Sequence, residues 1–190
     1  MKPENKICTK AQLKEYLDVE LAPYKLDNYR KVLAYVFQFS ENAVIRKYMK
    51  ILRTAEYHTN AGHKIRSLIY TIRLNKMMLK TGIHVGMNIC GKGLQIAHVE
   101  PCGFTGGTQV GENCRLHAVS FTMGNGEEGG QPTIGDNVVI GMGSMLIGNV
   151  TIADNISIGA GAVVTKSLLE PGITIAGVPA KKISDGTKHY

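Results

Sequence analysis

Tryptophan is missing from this 190-residue chain and aromatic residues make up only 6% of it, which argues against a surface that binds nucleic acid by stacking bases. No apolar run approaches the roughly 18 residues that a membrane-crossing helix needs. The opening MKPENKICTKAQLKEYL lacks the continuous apolar core of a signal peptide. Cysteines are few, at 8, 90, 102 and 114, with neither a Cys-x-x-Cys pair nor the dense spacing of a disulfide scaffold. They read as reduced, small residues, and the chain reads as soluble and cytoplasmic. A P-loop is lacking as well, so nucleotide hydrolysis has no support.

Glycine is nearly absent from the first 80 residues, which hold only Gly62 of the 22. The same stretch carries a charge balance of +9, against −2 for the remainder. Two architectures therefore share the chain, and we divide it into a helical region 1–80, a second domain 81–183 and a tail 184–190. In the helical region, Thr9 and Gln12 form a capping box ahead of Leu13, Leu17 and Leu21. Asp27 is placed to cap a helix with Tyr29, Val32, Leu33, Val36 and Phe37 on one face. Two further stripes follow, Val44, Tyr48, Ile51, Leu52 and Ala55, then Ile65, Leu68, Ile69 and Ile72. His58 and His63 fall in the link EYHTNAGHK and read as solvated loop residues. The basic balance allows peripheral contact with an anionic membrane surface, with ordinary solvated helix faces as the plainer reading.

From Ile134 the period changes. Ile134, Ile140, Leu146, Ile152, Ile158 and Val164 recur every six residues, which is neither helix nor strand spacing. A second series, Val138, Ser144, Val150, Ile156, Ala162 and Leu168, follows four residues behind. A six-residue period with small and turn-competent neighbours marks a parallel β-helix, in which three hexapeptides close one triangular coil and each coil buries its aliphatics on the last. Traced backwards, the series runs through Ile83 and Ile89, slips by one to Cys90 and Ile96, and gains two more before Val110 and Leu116. MGNGEEGGQ, Met123 to Gln131, interrupts it and predicts a protruding loop.

The hexapeptide run, GGQPTIGDNVVIGMGSMLIGNVTI and the ending IGAGAVVTKSLLEPGITIAGVPAKKI together resemble the serine acetyltransferase branch of the left-handed β-helix acyltransferases. The likeness extends to its members that O-acetylate bacterial polysaccharides. The resemblance implies a mainly β fold with helices, a left-handed parallel β-helix preceded by an N-terminal helical segment. It implies an acetyl-CoA-dependent O-acetyltransferase and a homotrimer with active sites between subunits; the scarcity of aromatics already argues for no nucleic-acid partner. It implies no metal, because zinc-dependent members pair two histidines close in sequence and Thr122 stands where a companion of His117 would be.

His98, in GLQIAHVEPCG, aligns with the histidine that deprotonates the acceptor hydroxyl in these enzymes. Neutral imidazole is a suitable base for an alcohol attacking a thioester. The aspartate that many serine acetyltransferases carry just before this histidine is Ala97 here, their loop histidine before proline is Gln131, and their upstream Asp-Ile-His is Gly82-Ile83-His84. On those departures we expect a sugar hydroxyl in cell-surface polysaccharide biosynthesis as acceptor, with serine O-acetylation for cysteine biosynthesis as the alternative. A non-catalytic or metal-dependent β-helix is a third reading. His117, Gln131 and Glu100 are the candidates for binding acceptor or orienting His98, and His117 is expected almost directly above His98. Gly141, Gly143, Gly159, Ala160 and Gly161 would leave a path for the pantetheine arm, with Lys166, Lys181 and Lys182 near its phosphates.

Overall fold

The computed structural model describes residues 6–37, 40–126 and 130–187. Glu127–Gly129 of the expected loop and residues 188–190 of the expected tail lie outside them. The chain divides into two compact units between Gly82 and Ile83.

The first unit is helical. Helix α1 (Lys10–Glu20) starts at the capping box, where the Thr9 hydroxyl accepts from the Gln12 amide at 3.2 Å and Gln12 Oε1 accepts from the Thr9 amide at 3.0 Å. Helix α2 (Tyr29–Phe37) begins one residue later than the sequence suggested. Asn28 Oδ1 accepts from the Lys31 amide at 3.0 Å, and Asp27 instead pairs with the Lys31 ammonium. Helix α3 (Glu41–Asn60) supplies the core with Tyr48, Met49, Leu52 and Ala55. Helix α4 (Lys64–Thr81) ends at Gly82, whose φ of 74° is the left-handed cap that glycine adopts without penalty.

Two features of this unit differ from the sequence reading. The stripes Tyr29 to Phe37 and Ile65 to Ile72 face solvent rather than the core. His58 is no solvated loop residue: it lies in the last turn of α3, only 8% exposed, with its Nδ1 3.0 Å from His63 Nδ1. Beneath them, Arg53 is fully buried and gripped by two carboxylates, Glu20 at 2.7 and 2.9 Å and Glu56 at 2.9 Å. The lone cation between two anions leaves this ionic cluster fully hydrogen-bonded, the condition under which buried charge is tolerated.

The second unit is a parallel β-helix with three walls. Wall one stacks β1 (Ile83–His84), β3 (Cys102–Gly103), β6 (Phe121–Met123), β9 (Met145–Ile147) and β12 (Val163–Val164). Wall two stacks β4 (Gln109–Val110), β7 (Thr133–Ile134) and β10 (Thr151–Ile152). Wall three stacks β2 (Gln95–Ile96), β5 (Arg115–Leu116), β8 (Val139–Ile140), β11 (Ser157–Ile158), β13 (Ile173–Ala176) and the antiparallel β14 (Lys181–Asp185). All six residues of the hexad series from Ile134 to Val164 point inward and are buried. Each wall's aliphatics stack in register, as Leu116, Ile140 and Ile158 do. At the turn from wall two to wall three, Asn113, Asn137 and Asn155 adopt φ of 54°, 56° and 57°, a conformation that asparagine tolerates better than most side chains.

The interruption is placed by register. Ile140 to Ile158 takes 18 residues around one coil, whereas Leu116 to Ile140 takes 24. The six extra residues lie between Thr122 on wall one and Ile134 on wall two. Leu116 and Ile134 are therefore a coil's length apart in sequence yet sit on different walls. Cys90, Cys102 and Cys114 are buried thiols outside any disulfide. Burial above all pushes the Cys102 and Cys114 thiols up to about 12, so both stay protonated as small packing residues.

Candidate active site

The corner between walls three and one collects the residues of greatest chemical interest. After each wall-three strand the chain turns, and the first residue of each turn hydrogen-bonds to the coil above. The Ala97 amide donates to Leu116 O at 2.9 Å, that of His117 to Ile140 O at 3.1 Å, and that of Gly141 to Ile158 O at 2.9 Å. The Gly159 amide continues the series to Ile175 O at 2.7 Å. Ala97, His117, Gly141, Gly159 and Ala176 thus form one column, and His98, Ala118, Met142, Ala160 and Gly177 the next.

His98 is exposed on this outer edge. It does not lie directly under His117, because the coil from Ile96 to Leu116 takes 20 residues and brings Ala118 into register with His98 instead. The two imidazoles still approach, with ring centroids 6.4 Å apart and planes tilted by 52°. Burial, then the charges of Arg115 and His98, hold the His117 pKa below the usual histidine value. His117 is therefore neutral at physiological pH. Its Nε2 and the Nε of Arg115 are buried polar atoms without a hydrogen-bond partner among the described residues. Arg115 and His117 flank the inward Leu116, so both side chains leave the same outer face. Orphaned polar atoms of this kind are costly unless a ligand or second chain satisfies them.

The small residues lie along the same edge. A Cβ on Gly141 would run into the Ile158 carbonyl and one on Gly159 would come within 2.9 Å of Ala176 Cβ, so coil stacking itself requires glycine there. Gly143 and Gly161 are needed for their backbone, at φ of 71° and 69°. The equivalent position one coil earlier holds Val119 at φ 58°, 48% exposed. A β-branched side chain in the left-handed region is strained by about 1–2 kcal/mol. Sequence reasoning passed over Val119. Its signal was the alignment with Gly143 and Gly161, visible only once the 24-residue coil is known. Together these residues make a low wall that begins at the histidines and climbs past Gly141, Gly143, Gly159, Ala160 and Gly161.

Gln131 lies elsewhere, at the corner between walls one and two. Its Oε1 accepts from Thr105 Oγ1 at 3.1 Å, and Gly124 passes so close that a Cβ there would collide with the amide. Below it, buried Thr108 and Thr122 share a hydrogen bond at 3.0 Å, and Thr122 Oγ1 accepts from the Thr105 amide at 3.0 Å. Thr122 thus replaces an aliphatic in wall one and anchors the base of the interruption. Within one chain the structure unites His98 and His117 beside the small residues, but not Gln131. Glu100 is exposed two residues beyond His98. Lys166 is exposed after β12, and Lys181 on β14. Lys182 is engaged by Glu170 at 2.6 Å and Asp185 at 2.7 Å, carboxylates that an incoming phosphate would have to displace.

Residues 131–166 match the family model described as bacterial transferase hexapeptide (six repeats). The serine acetyltransferase of Buchnera aphidicola subsp. Acyrthosiphon pisum is 31% identical over 146 residues, covering 75% of this chain and 52% of that protein. The chain thus spans about half the length of that relative. The serine acetyltransferase of Staphylococcus epidermidis is 30% identical over 154 residues, covering 74% of this chain and 71% of the relative. The crystal structure of Neisseria gonorrhoeae serine acetyltransferase in complex with serine superposes with a TM-score of 0.66 at 25% identity, over 92% of this chain and 70% of that one. That of the Brucella abortus serine acetyltransferase in complex with coenzyme A shares the fold, at a TM-score of 0.63 and 23% identity, over 93% and 70%. The fold is the left-handed parallel β-helix preceded by helices that the sequence led us to expect. The expected sugar acceptor in polysaccharide biosynthesis is overturned, since these relatives carry serine in their names and one holds it. Ala97 and Gln131 do not point away from serine: a carboxamide both donates and accepts hydrogen bonds, so Gln131 does not by itself exclude an amino acid.

Proposed function

The chain belongs to the serine acetyltransferase family of hexapeptide-repeat transferases, and from that membership we propose that it transfers the acetyl group of acetyl-CoA to the hydroxyl of L-serine. The observation that carries the reading within this chain is the edge where exposed His98 and neutral His117 stand 6.4 Å apart at the foot of the small-residue wall.

His98 is the general base in this reading. Its ring nitrogen takes the hydroxyl proton as the serine oxygen attacks the thioester carbonyl. The resulting oxyanion collapses, the carbon–sulfur bond breaks, and the thiolate of coenzyme A takes the proton back from the imidazolium. Backbone N–H groups of the turns are suited to stabilising the oxyanion. The pantetheine arm lies along Gly141, Gly143, Gly159, Ala160 and Gly161, with Lys166 and Lys181 toward the phosphates and Lys182 after release from its carboxylates. The site is completed between subunits of a trimer. His98 stands on an open edge that needs a second surface to exclude water, and a neighbour's wall-one corner brings Gln131 to it. Serine contacts are assigned to His117 and Gln131, and Glu100 to orienting His98. The proposed setting is the cytoplasm, where acetyl-CoA is available.

The test is release of free coenzyme A from acetyl-CoA on adding L-serine, compared with L-alanine, which differs only in lacking the hydroxyl. Serine-dependent release with formation of O-acetylserine supports the reading, and equal rates with both amino acids contradict it.

A further inference from the structure

Two helix faces of the first unit are apolar and uncovered. On α4, Ile65, Leu68, Ile69, Ile72 and Leu79 are 77%, 62%, 48%, 47% and 82% exposed. At helical spacing they fall within an arc of roughly 100°. On α2, Tyr29 and Phe37 at its two ends are 69% and 70% exposed, with Val32, Leu33 and Val36 between them. Contiguous apolar surface of this kind marks an interaction site rather than chance exposure.

Apart from Asp27, which pairs with Lys31, the charges beside these faces have one sign. Helices α2 and α4 carry Arg30, Lys31, Lys64, Arg66, Arg73, Lys76 and Lys80 and not a single aspartate or glutamate. A cleft of about 200 Å³ joins α2, α3 and α4, lined by Tyr35 and Tyr70 with Lys47, Lys50 and Arg73, again without a carboxylate. Arg73 lies 5.2 Å over the Tyr70 ring, which leaves its guanidinium at the cleft.

We propose that the helical unit docks on an anionic lipid bilayer, with the apolar faces of α2 and α4 in the headgroup boundary and the cleft around Lys47, Lys50 and Arg73 receiving an anionic headgroup. A helix with an apolar stripe edged by lysine and arginine lies in the plane of such an interface, and basic pockets between helices accept acidic headgroups. No helix is long and apolar enough to cross a membrane among the described residues, so the contact is peripheral. Face-to-face pairing with a second copy of the chain fits these faces less well, because it would set the cations of α2 and α4, among which Lys31 is paired with Asp27, against their own duplicates. The inference is independent of the acceptor assigned above.

The experiment is flotation of the full chain with vesicles of phosphatidylcholine alone or with phosphatidylglycerol added. Binding is expected only to the anionic vesicles and falls at least about tenfold when salt is raised to about 0.5 M. Joint substitution Ile65→Gln, Leu68→Gln and Leu79→Gln removes apolar contact without touching the core, and Lys47→Gln, Lys50→Gln and Arg73→Gln removes headgroup contacts. Each set weakens binding about tenfold or more while the circular dichroism stays that of the parent. Equal binding to neutral vesicles, no binding by the parent chain, or an apolar variant that dissociates an assembly while leaving vesicle binding unchanged overturns the proposal.

Discussion

His98 and His117 are neighbours on one edge of the β-helix by an offset of one residue: the wall-three register aligns His98 with Ala118, and the two rings still come to 6.4 Å. The offset separates their environments. His98 is exposed, while His117 keeps a buried Nε2 and a lowered pKa. A base needs access to the acceptor proton, and a neutral, half-sheltered imidazole is suited to holding the acceptor by hydrogen bonds. Replacing His117 by Gln is therefore expected to raise KM for serine about tenfold or more with a smaller change in kcat. Equal kinetics in the variant would remove His117 from the site.

Gly124 lies against the Gln131 carboxamide, and a methyl group there has to displace it. We expect Gly124→Ala to weaken serine binding about as much as Gln131→Ala does, while the melting temperature of the β-helix changes little. Steady-state kinetics of the two variants beside their melting curves check this. A normal KM for serine in both would show that this corner takes no part.

Arg53 binds Glu20 and Glu56 with no exposure to solvent. Arg53→Ala removes the buried cation that both carboxylates bind and is expected to cost about 3–5 kcal/mol of stability, measured by urea unfolding. Arg53→Lys keeps the charge but cannot span both carboxylates in the same way, and should fall between the two.

His58 has its pKa lowered first by burial and then by His63 and Arg66. The unfolded chain therefore binds a proton more readily than the folded one, and stability falls as pH drops below about 6.5. Melting temperatures taken between about pH 7 and pH 5 should decline, and His58→Gln should flatten the decline. An unchanged slope in the variant would assign the acid sensitivity to other groups.

Much of the β-helix was legible because its rule is local: one aliphatic every six residues forces the wall assignment wherever the count is unbroken. Where the count breaks, sequence alone misled. Leu116 and Ile134 are 18 residues apart, which counts as one full coil, yet they occupy different walls because the stretch from Thr122 to Ile134 is six residues longer than its counterpart one coil on. The helical unit was read correctly at the Thr9 capping box, a three-residue signal, and at the α3 stripe. It was misread where periodicity had to predict burial, since an apolar face on α4 looks the same in sequence whether it meets a core or another partner. The Glu20–Arg53 pair spans 33 residues with no pattern to announce it. At the site, His98 and the glycine edge could be named from the motif they resemble, whereas the strained Val119 and the orphaned Arg115 Nε needed coordinates.

The central claim is that His98 takes the proton from the serine hydroxyl as acetyl-CoA is attacked. Its most direct test is the rate of O-acetylserine formation by the parent chain and by His98→Ala at saturating acetyl-CoA. The account predicts a loss of roughly 10²- to 10⁴-fold, about 3–5 kcal/mol of barrier, with unchanged oligomeric state and melting temperature. Turnover of His98→Ala at the parental rate would contradict it.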